Sequence, residues 1–348
     1  MIKYCVSQTN QEPIQLKVNN EVNISKNYNQ SIERCKEIIR KVEAITKRRT
    51  IAYFAASVDS PAAFINDNDS IQIEDLLRIP NEYSGLDLIL NTGGGIATSA
   101  ERIINVCKTY VEKSSLAEFR VIVPKLAKSA ATMVSLGADK ILLCDNAELG
   151  PIDPQLILTG NNGLKFSKPS YLVFNAVKEL FDKSNSIFGA KNEKYLTFLR
   201  QYNYDIFMSA KNELGLSRDI AGKILNRKKK KYSELKFDDF SIFTDPTKTL
   251  SHGRLIGIDE LRNTLLCTSG FIENIGEHFL KKGKDRLEKL KIDELSKLIW
   301  ELLIRKIMLL NDPGNPQVKT IEDSNFIFIS TDPEWKSPVV QPQQQPQQ

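Results

Sequence analysis

The chain has 348 residues, of which 41% are hydrophobic and 26% charged, and its net charge is +5. That length supports one large domain or two modest ones with a real core. The mild charge disfavours nucleic acid as a partner, and with no continuous apolar run of about 18 residues there is no candidate membrane-spanning helix.

The first 29 residues are polar and read as a lead-in. Helical spacing of Ile32, Cys35, Ile39 and Val42 predicts a helix over 31–46, followed by a strand over 49–55. Asn66–Asp69 reads as a turn, and a short helix over 71–78 stops before Pro80. A βα series follows. Residues 86–90 form a nearly continuous apolar run, as in a parallel strand buried on both faces. The spacing then predicts a helix over 96–111, a strand over 119–123, a small-residue helix over 129–137 and a strand over 140–144. Leu149–Pro154 is a constrained turn and Asn161–Gly163 a looser one. Residues 167–169 end an extended piece. Helices are expected over 171–183, 192–214, 219–226 and 259–266. A leucine-rich helix over 284–310 carries lysines on its other face, and 326–330 is a last strand. The leucine stripe reads as a docking or oligomer face.

Two turns have the composition of a chemical site. Gly93-Gly94-Gly95 follows a strand and opens a helix, leaving backbone N–H groups bare. Such a turn binds a phosphate or stabilises an oxyanion, or simply makes a tight connection. The P-loop and GxGxxG patterns are both missing. One unit later, Ser129 sits at a second strand-to-helix turn among small residues. A serine there caps a helix or acts as a nucleophile. The N–H of Ala130, with that of Gly94 or Gly95, would make a two-donor oxyanion hole.

The apolar strand, Thr92-Gly93-Gly94-Gly95, the Val123–Thr132 segment, Ala138-Asp139-Lys140-Ile141 and Leu149–Gln155 together resemble the serine dehydrogenase proteinase family. That family groups with SppA-like and Clp-like serine peptidases of the ClpP/crotonase fold. The match spans roughly residues 49–155 and returns at Ser251-His252-Gly253. The resemblance implies an α/β fold, a ClpP/crotonase-like spiral of βαβ units with a mostly parallel sheet and C-terminal helical additions. It divides the chain into a segment with one helix (1–46), the peptidase core (47–270), a C-terminal helical extension (271–335) and a disordered Pro/Gln tail (336–348).

The implied activity is that of a serine endopeptidase. Ser129 is its nucleophile, and Gly94, Gly95 and Ala130 are its oxyanion donors. The SppA type places a lysine base downstream of the serine, which points to Lys168, with Lys178 as an alternative. His252 is the other candidate base, or a structural hydrogen-bonder. Asp153 orients a base or caps its turn, and His278 reads as surface. The family's proline between Thr92 and Gly94 is a glycine here.

No metal and no organic cofactor is called for. The expected partners are a peptide or protein substrate and further copies of the chain, with peripheral membrane contact left open. Five scattered cysteines without CxxC and no apolar leader point to a reducing, cytoplasmic setting. Two other readings are a catalytically silent member of the fold that acts as an assembly module, and crotonase-like acyl-CoA chemistry. Arg227–Lys231 reads as a solvated helix end.

Overall fold

The computed structural model describes residues 24–56, 60–78, 83–114, 118–159, 163–185, 204–282, 286–312 and 317–332. The expectations for residues 1–23, for the turn at 161–162, for a helix over 192–203 and for the tail lie outside these residues. Among them, no helix is long and apolar enough to cross a membrane.

Helix α1 (Ile24–Thr46) leads through Lys47, at φ 57°, into β1 (Arg49–Ala55). Helix α2 (Asp67–Leu77) starts earlier than the apolar spacing predicts. The Asn66–Asp69 stretch is a helix cap, not a free turn. The Asn66 side chain accepts from the Asn68 N–H, and the Asp69 carboxylate accepts from the Asn66 N–H. These two bonds satisfy donors that a helix start leaves open.

The series continues with β2 (Leu86–Asn91), α3 (Ala97–Lys113), β3 (Phe119–Val123), β4 (Leu126–Ala127), α4 (Ala130–Gly137), β5 (Lys140–Leu143) and β6 (Glu148–Leu149). An antiparallel hairpin, β7 (Gln155–Thr159) and β8 (Lys165–Pro169), leads to α5 (Ser170–Asn185). Helix α6 (Tyr204–Lys228) is unbroken where the spacing predicts an interruption. Short helical turns fill 237–249, and β9 (Ile256–Gly257) pairs with β6. The described residues close with β10 (Ile272–Asn274), α7 (Ile275–Lys282), α8 (Arg286–Leu310), β11 (Gln317–Glu322) and β12 (Ile327–Thr331).

The main sheet has the order β10-β5-β3-β2-β1-β11-β12. Strands β1, β2, β3, β5 and β10 are mutually parallel, and β11 and β12 add an antiparallel edge. Alternate side chains of a strand face opposite sides. Ile51 and Tyr53 therefore pack with α2, α3, α4 and α6, whereas Ala52 and Phe54 pack with α1 and α8. The result is a mixed α/β architecture with a mostly parallel sheet between two helical layers.

The middle of the leucine stripe of α8 is core, whereas Leu290 and Ile307 at its two ends are exposed. Leu295, Leu298, Ile299, Leu302 and Leu303 are buried against α1 and the sheet. The sheet has two apolar faces, and among the described residues α1, α7 and α8 are the helices that cover this one.

Strand β11 is buried at every position although it reads Gln-Val-Lys-Thr-Ile-Glu. Its charges are met inside the molecule. Glu322 pairs with Lys306 of α8, both fully buried, and Lys319 forms an ion pair with Asp69 at 2.6 Å. Asp69 also accepts from the Tyr53 hydroxyl at 2.7 Å. Removing one member of such a pair strands the other charge in a dry site. Glu322→Ala should therefore destabilise the fold by about 3–5 kcal/mol, whereas Lys306→Met combined with Glu322→Leu should be neutral or stabilising. Urea unfolding midpoints of the three proteins check this ordering.

Candidate active site

The site forms where the turn after β2 meets the turn before α4. Thr92 and Ala127 form a parallel bridge, with Thr92 N–H on Leu126 O at 3.1 Å and Lys128 N–H on Thr92 O at 3.2 Å. This clamps the glycine turn alongside the serine turn.

Ser129 lies between β4 and α4 at φ 51°, ψ −120°. That conformation is costly for a side-chain-bearing residue, of order 1–3 kcal/mol. Its neighbours hold it there. Ala131 N–H donates to Lys128 O at 2.8 Å, and Met133 N–H to Ser129 O at 3.1 Å. A serine at a helix start usually caps it, but the Ser129 hydroxyl does not, and it makes no hydrogen bond among the described residues. It is half-buried, so it is reachable.

Gly94 and Gly95 each answer a separate contact. Gly94 has φ 111°, and a Cβ there would lie 2.6 Å from Lys128 O and 2.9 Å from Ser129 Cβ. Gly95 has φ 155°, and its Cβ would lie 2.3 Å from the Ile65 nitrogen. On that side Ile65 N–H donates to Gly94 O and Ile96 N–H to Ile65 O, both at 2.9 Å. Gly93 faces open space, which suits the position where the family carries proline.

The backbone N–H groups of Gly95 and Ala130 carry no hydrogen bond among the described residues. Gly94 N–H makes only a long contact, 3.3 Å, to Thr92 Oγ1. Ala130 is the first residue of α4, so its N–H is one of those a helix leaves unpaired, at the positive end of the helix dipole.

Tethers tie this turn to the rest of the site. Thr132 Oγ1 donates to Ala127 O at 2.6 Å and accepts from Gly150 N–H at 3.0 Å. Lys128 Nζ donates to Glu148 Oε2 at 2.8 Å, to Leu149 O at 3.2 Å and to Arg254 O at 3.1 Å. Lys128 is thus committed to joining the serine turn, the Leu149–Pro154 turn and the Ser251–Arg254 loop.

At the junction of the last two, His252 Nδ1 lies 2.8 Å from Asp153 Oδ1. Asp153 is buried, and its other oxygen accepts from Gln155 Nε2 at 2.9 Å. A carboxylate at Nδ1 selects the tautomer with the proton on that nitrogen, leaving Nε2 as an acceptor. The His252 side chain is 30% exposed.

Lys168 is exposed on β8 opposite Leu156, its Nζ 5.6 Å from the Phe166 ring centre. Lys178 is exposed on α5. No hydrogen bond joins Ser129 to Lys168, Lys178 or His252. His278, expected at the surface, is buried under the sheet, its Nδ1 2.5 Å from Glu273 and its Nε2 3.5 Å from Arg120. The basic run is not wholly solvated either. Lys228 is buried, donates to Ala138 O at the end of α4, and lies 4.3 Å from the Phe271 ring centre. Burial holds its ammonium well below the usual lysine range.

Thr132 and Lys128 escaped the sequence reading as site builders. Their neighbours in the motif were visible, but not the partners they reach. Among the described residues no group of three or more His, Cys, Asp or Glu is placed to hold a metal ion.

The chain matches the ClpP-like SDH-type serine proteinase family over residues 15–223, more than half its length, and belongs to that family. Two uncharacterized proteins of Methanocaldococcus jannaschii are each 37% identical to it. One aligns over 115 residues, 33% of this chain and 37% of that protein. The other aligns over 93 residues, 27% of this chain and 30% of that protein. The chain thus matches only about a third of either relative's length. Among solved structures, it is similar to two variants of the 1510-N membrane-bound stomatin-specific protease, each with 19% identity and a TM-score of 0.25. A serine-to-alanine variant covers 35% of this chain and 59% of its own. A lysine-to-alanine variant in complex with a substrate peptide covers 39% and 60%.

The opposite demands of strain and close packing lead to a paired expectation. Ser129→Gly should raise stability by about 1 kcal/mol by relieving the positive φ, whereas Gly94→Ala should cost about 2 kcal/mol or more. Thermal midpoints of the two variants against the parent protein check this.

Proposed function

We propose that the chain is a serine endopeptidase with Ser129 as its nucleophile. The observation that carries this reading is the strained Ser129 itself. A residue kept at φ 51°, with an uncommitted hydroxyl beside uncommitted N–H groups, suits attack on a carbonyl.

In this reading Ser129 Oγ forms a bond to the scissile carbonyl carbon. The developing oxyanion is held by Ala130 N–H and by the Gly94–Gly95 turn. The serine proton passes to His252 Nε2, which Asp153 orients, and then to the leaving amine. Water, with its proton taken by His252, releases the acyl group and restores Ser129. His252 is preferred over Lys168 because the Asp153 contact fixes its tautomer and orientation. Lys168 is exposed, and a lysine base needs burial to give up its proton near neutral pH. The tie from Lys128 to Arg254 O carries the His252 loop toward the serine turn. Apo hydrogen bonds of catalytic groups are often long and tighten with substrate.

Quenched fluorogenic peptides test the assignment. Ser129→Ala should abolish hydrolysis with the fold intact, and His252→Ala should lower kcat by about 100-fold or more. Lys168→Ala should leave kcat within about threefold, since loss of a general base costs at least about 100-fold. The reverse ranking of the last two variants would install the lysine base. Full activity in Ser129→Ala would remove Ser129 as the nucleophile, whereas no hydrolysis by the parent protein and no fluorophosphonate labelling of its Ser129 would favour the silent assembly module.

A further inference from the structure

Beside Asp153 the structure leaves a cavity of about 410 Å³. Its walls come from α5, from α6 and from the loop at 244–247, and Asp153 with Pro154 forms the end nearest the site. Tyr171 and Phe174 line one wall. Phe174 is held by a stacked contact with Phe207, ring centres 5.2 Å apart and 9° from parallel.

The opposite wall is one face of α6. Lys211, Leu214, Gly215 and Arg218 all line the cavity, as their helical spacing allows. Gly215 sits between the two cations, and a Cβ there would meet nothing within 4 Å. The helix is hollowed at that point by the missing side chain.

The charges around the cavity are unequally committed. Asp153 is bound to His252 and Gln155. Asp245 caps a helical turn, accepting from Thr247 N–H at 2.9 Å and from its hydroxyl at 2.7 Å. Those bonds hold Asp245 below the usual carboxylate range, with smaller help from Lys248 and Arg218. Lys211 and Arg218 make no hydrogen bond or ion pair among the described residues. Arg218 lies in the field of Asp245, so Lys211 is the least compensated charge on the wall.

We infer that this cavity is a substrate subsite for a carboxylate, with Lys211 as its anchor, Arg218 in support, and Tyr171 and Phe174 packing the aliphatic part. The carboxylate is an acidic side chain of the peptide or its C-terminus. This rests on the peptidase reading of Ser129 and extends it to the substrate class.

Binding to the full-length Ser129→Ala protein tests the inference without needing turnover. Three peptides are compared by titration: one with an internal glutamate and an amidated end, its glutamine counterpart, and that glutamine peptide with a free C-terminal carboxylate. One carboxylate peptide should bind about tenfold tighter than the neutral one, as expected for one charge-assisted contact, and which one identifies the source. Lys211→Gln should erase that advantage. Gly215→Leu should also erase it by filling the cavity, with an unchanged or higher thermal midpoint. Equal binding of all three peptides, no binding of any, or an advantage that survives Gly215→Leu would overturn the subsite. The peptidase reading stands or falls separately, on hydrolysis by the parent protein.

Discussion

The two turns of the site lie closer together than any side chain at Gly94 would permit. A single missing methyl group lets the glycine turn rest on Lys128 O and on Ser129 Cβ. Everything that gives the site its character follows from this approach. The glycine turn is held from behind by Ile65, which contacts Gly95 as closely as the serine turn contacts Gly94. The turn is therefore wedged from both sides, and its N–H groups have no freedom to turn away. Preorganised donors of this kind stabilise charge without a reorganisation cost at the moment of reaction.

Strain at Ser129 is tolerated because its surroundings over-determine it. Thr132 fixes the start of α4 to the Gly150 turn, and Lys128 fixes it to the loop bearing His252. At the far end of α4, Lys228 meets the Ala138 carbonyl, a helix C-terminus where a positive charge is favoured. The short helix is gripped at both ends, so a local distortion at the residue before it does not propagate. Backbone strain concentrated at one reachable, half-buried serine and supported by buried polar tethers is a pattern expected of a functional position.

Much of this was legible in the chain. The parallel strands announced themselves as apolar runs, and both turns stood out by composition. What stayed hidden depended on distant partners. Strand β11 was invisible because Lys319 and Glu322 look solvent-facing until Asp69 and Lys306 are placed beside them. The α8 stripe reads as a free face until α1 is seen to share it. Asn66–Asp69 reads as a turn because cap and turn residues are the same types, and only the reciprocal bonds tell them apart. The Asp153–His252 contact joins residues on two loops far apart in the chain, and no local spacing encodes it.

The order of the sheet has a consequence for how the molecule comes into being. Its first strand, β1, is completed on one side only by β11, which lies close to the other end of the described chain. Until β11 is in place that edge of β1 is open, and such an edge invites pairing with other chains. The serine turn is made early and the His252 loop late. On the proposed assignment, a polypeptide that stops short of the His252 loop lacks both the group that takes the serine proton and the Arg254 carbonyl that ties down Lys128. On that assignment the site is complete only once the His252 loop has docked against the serine turn.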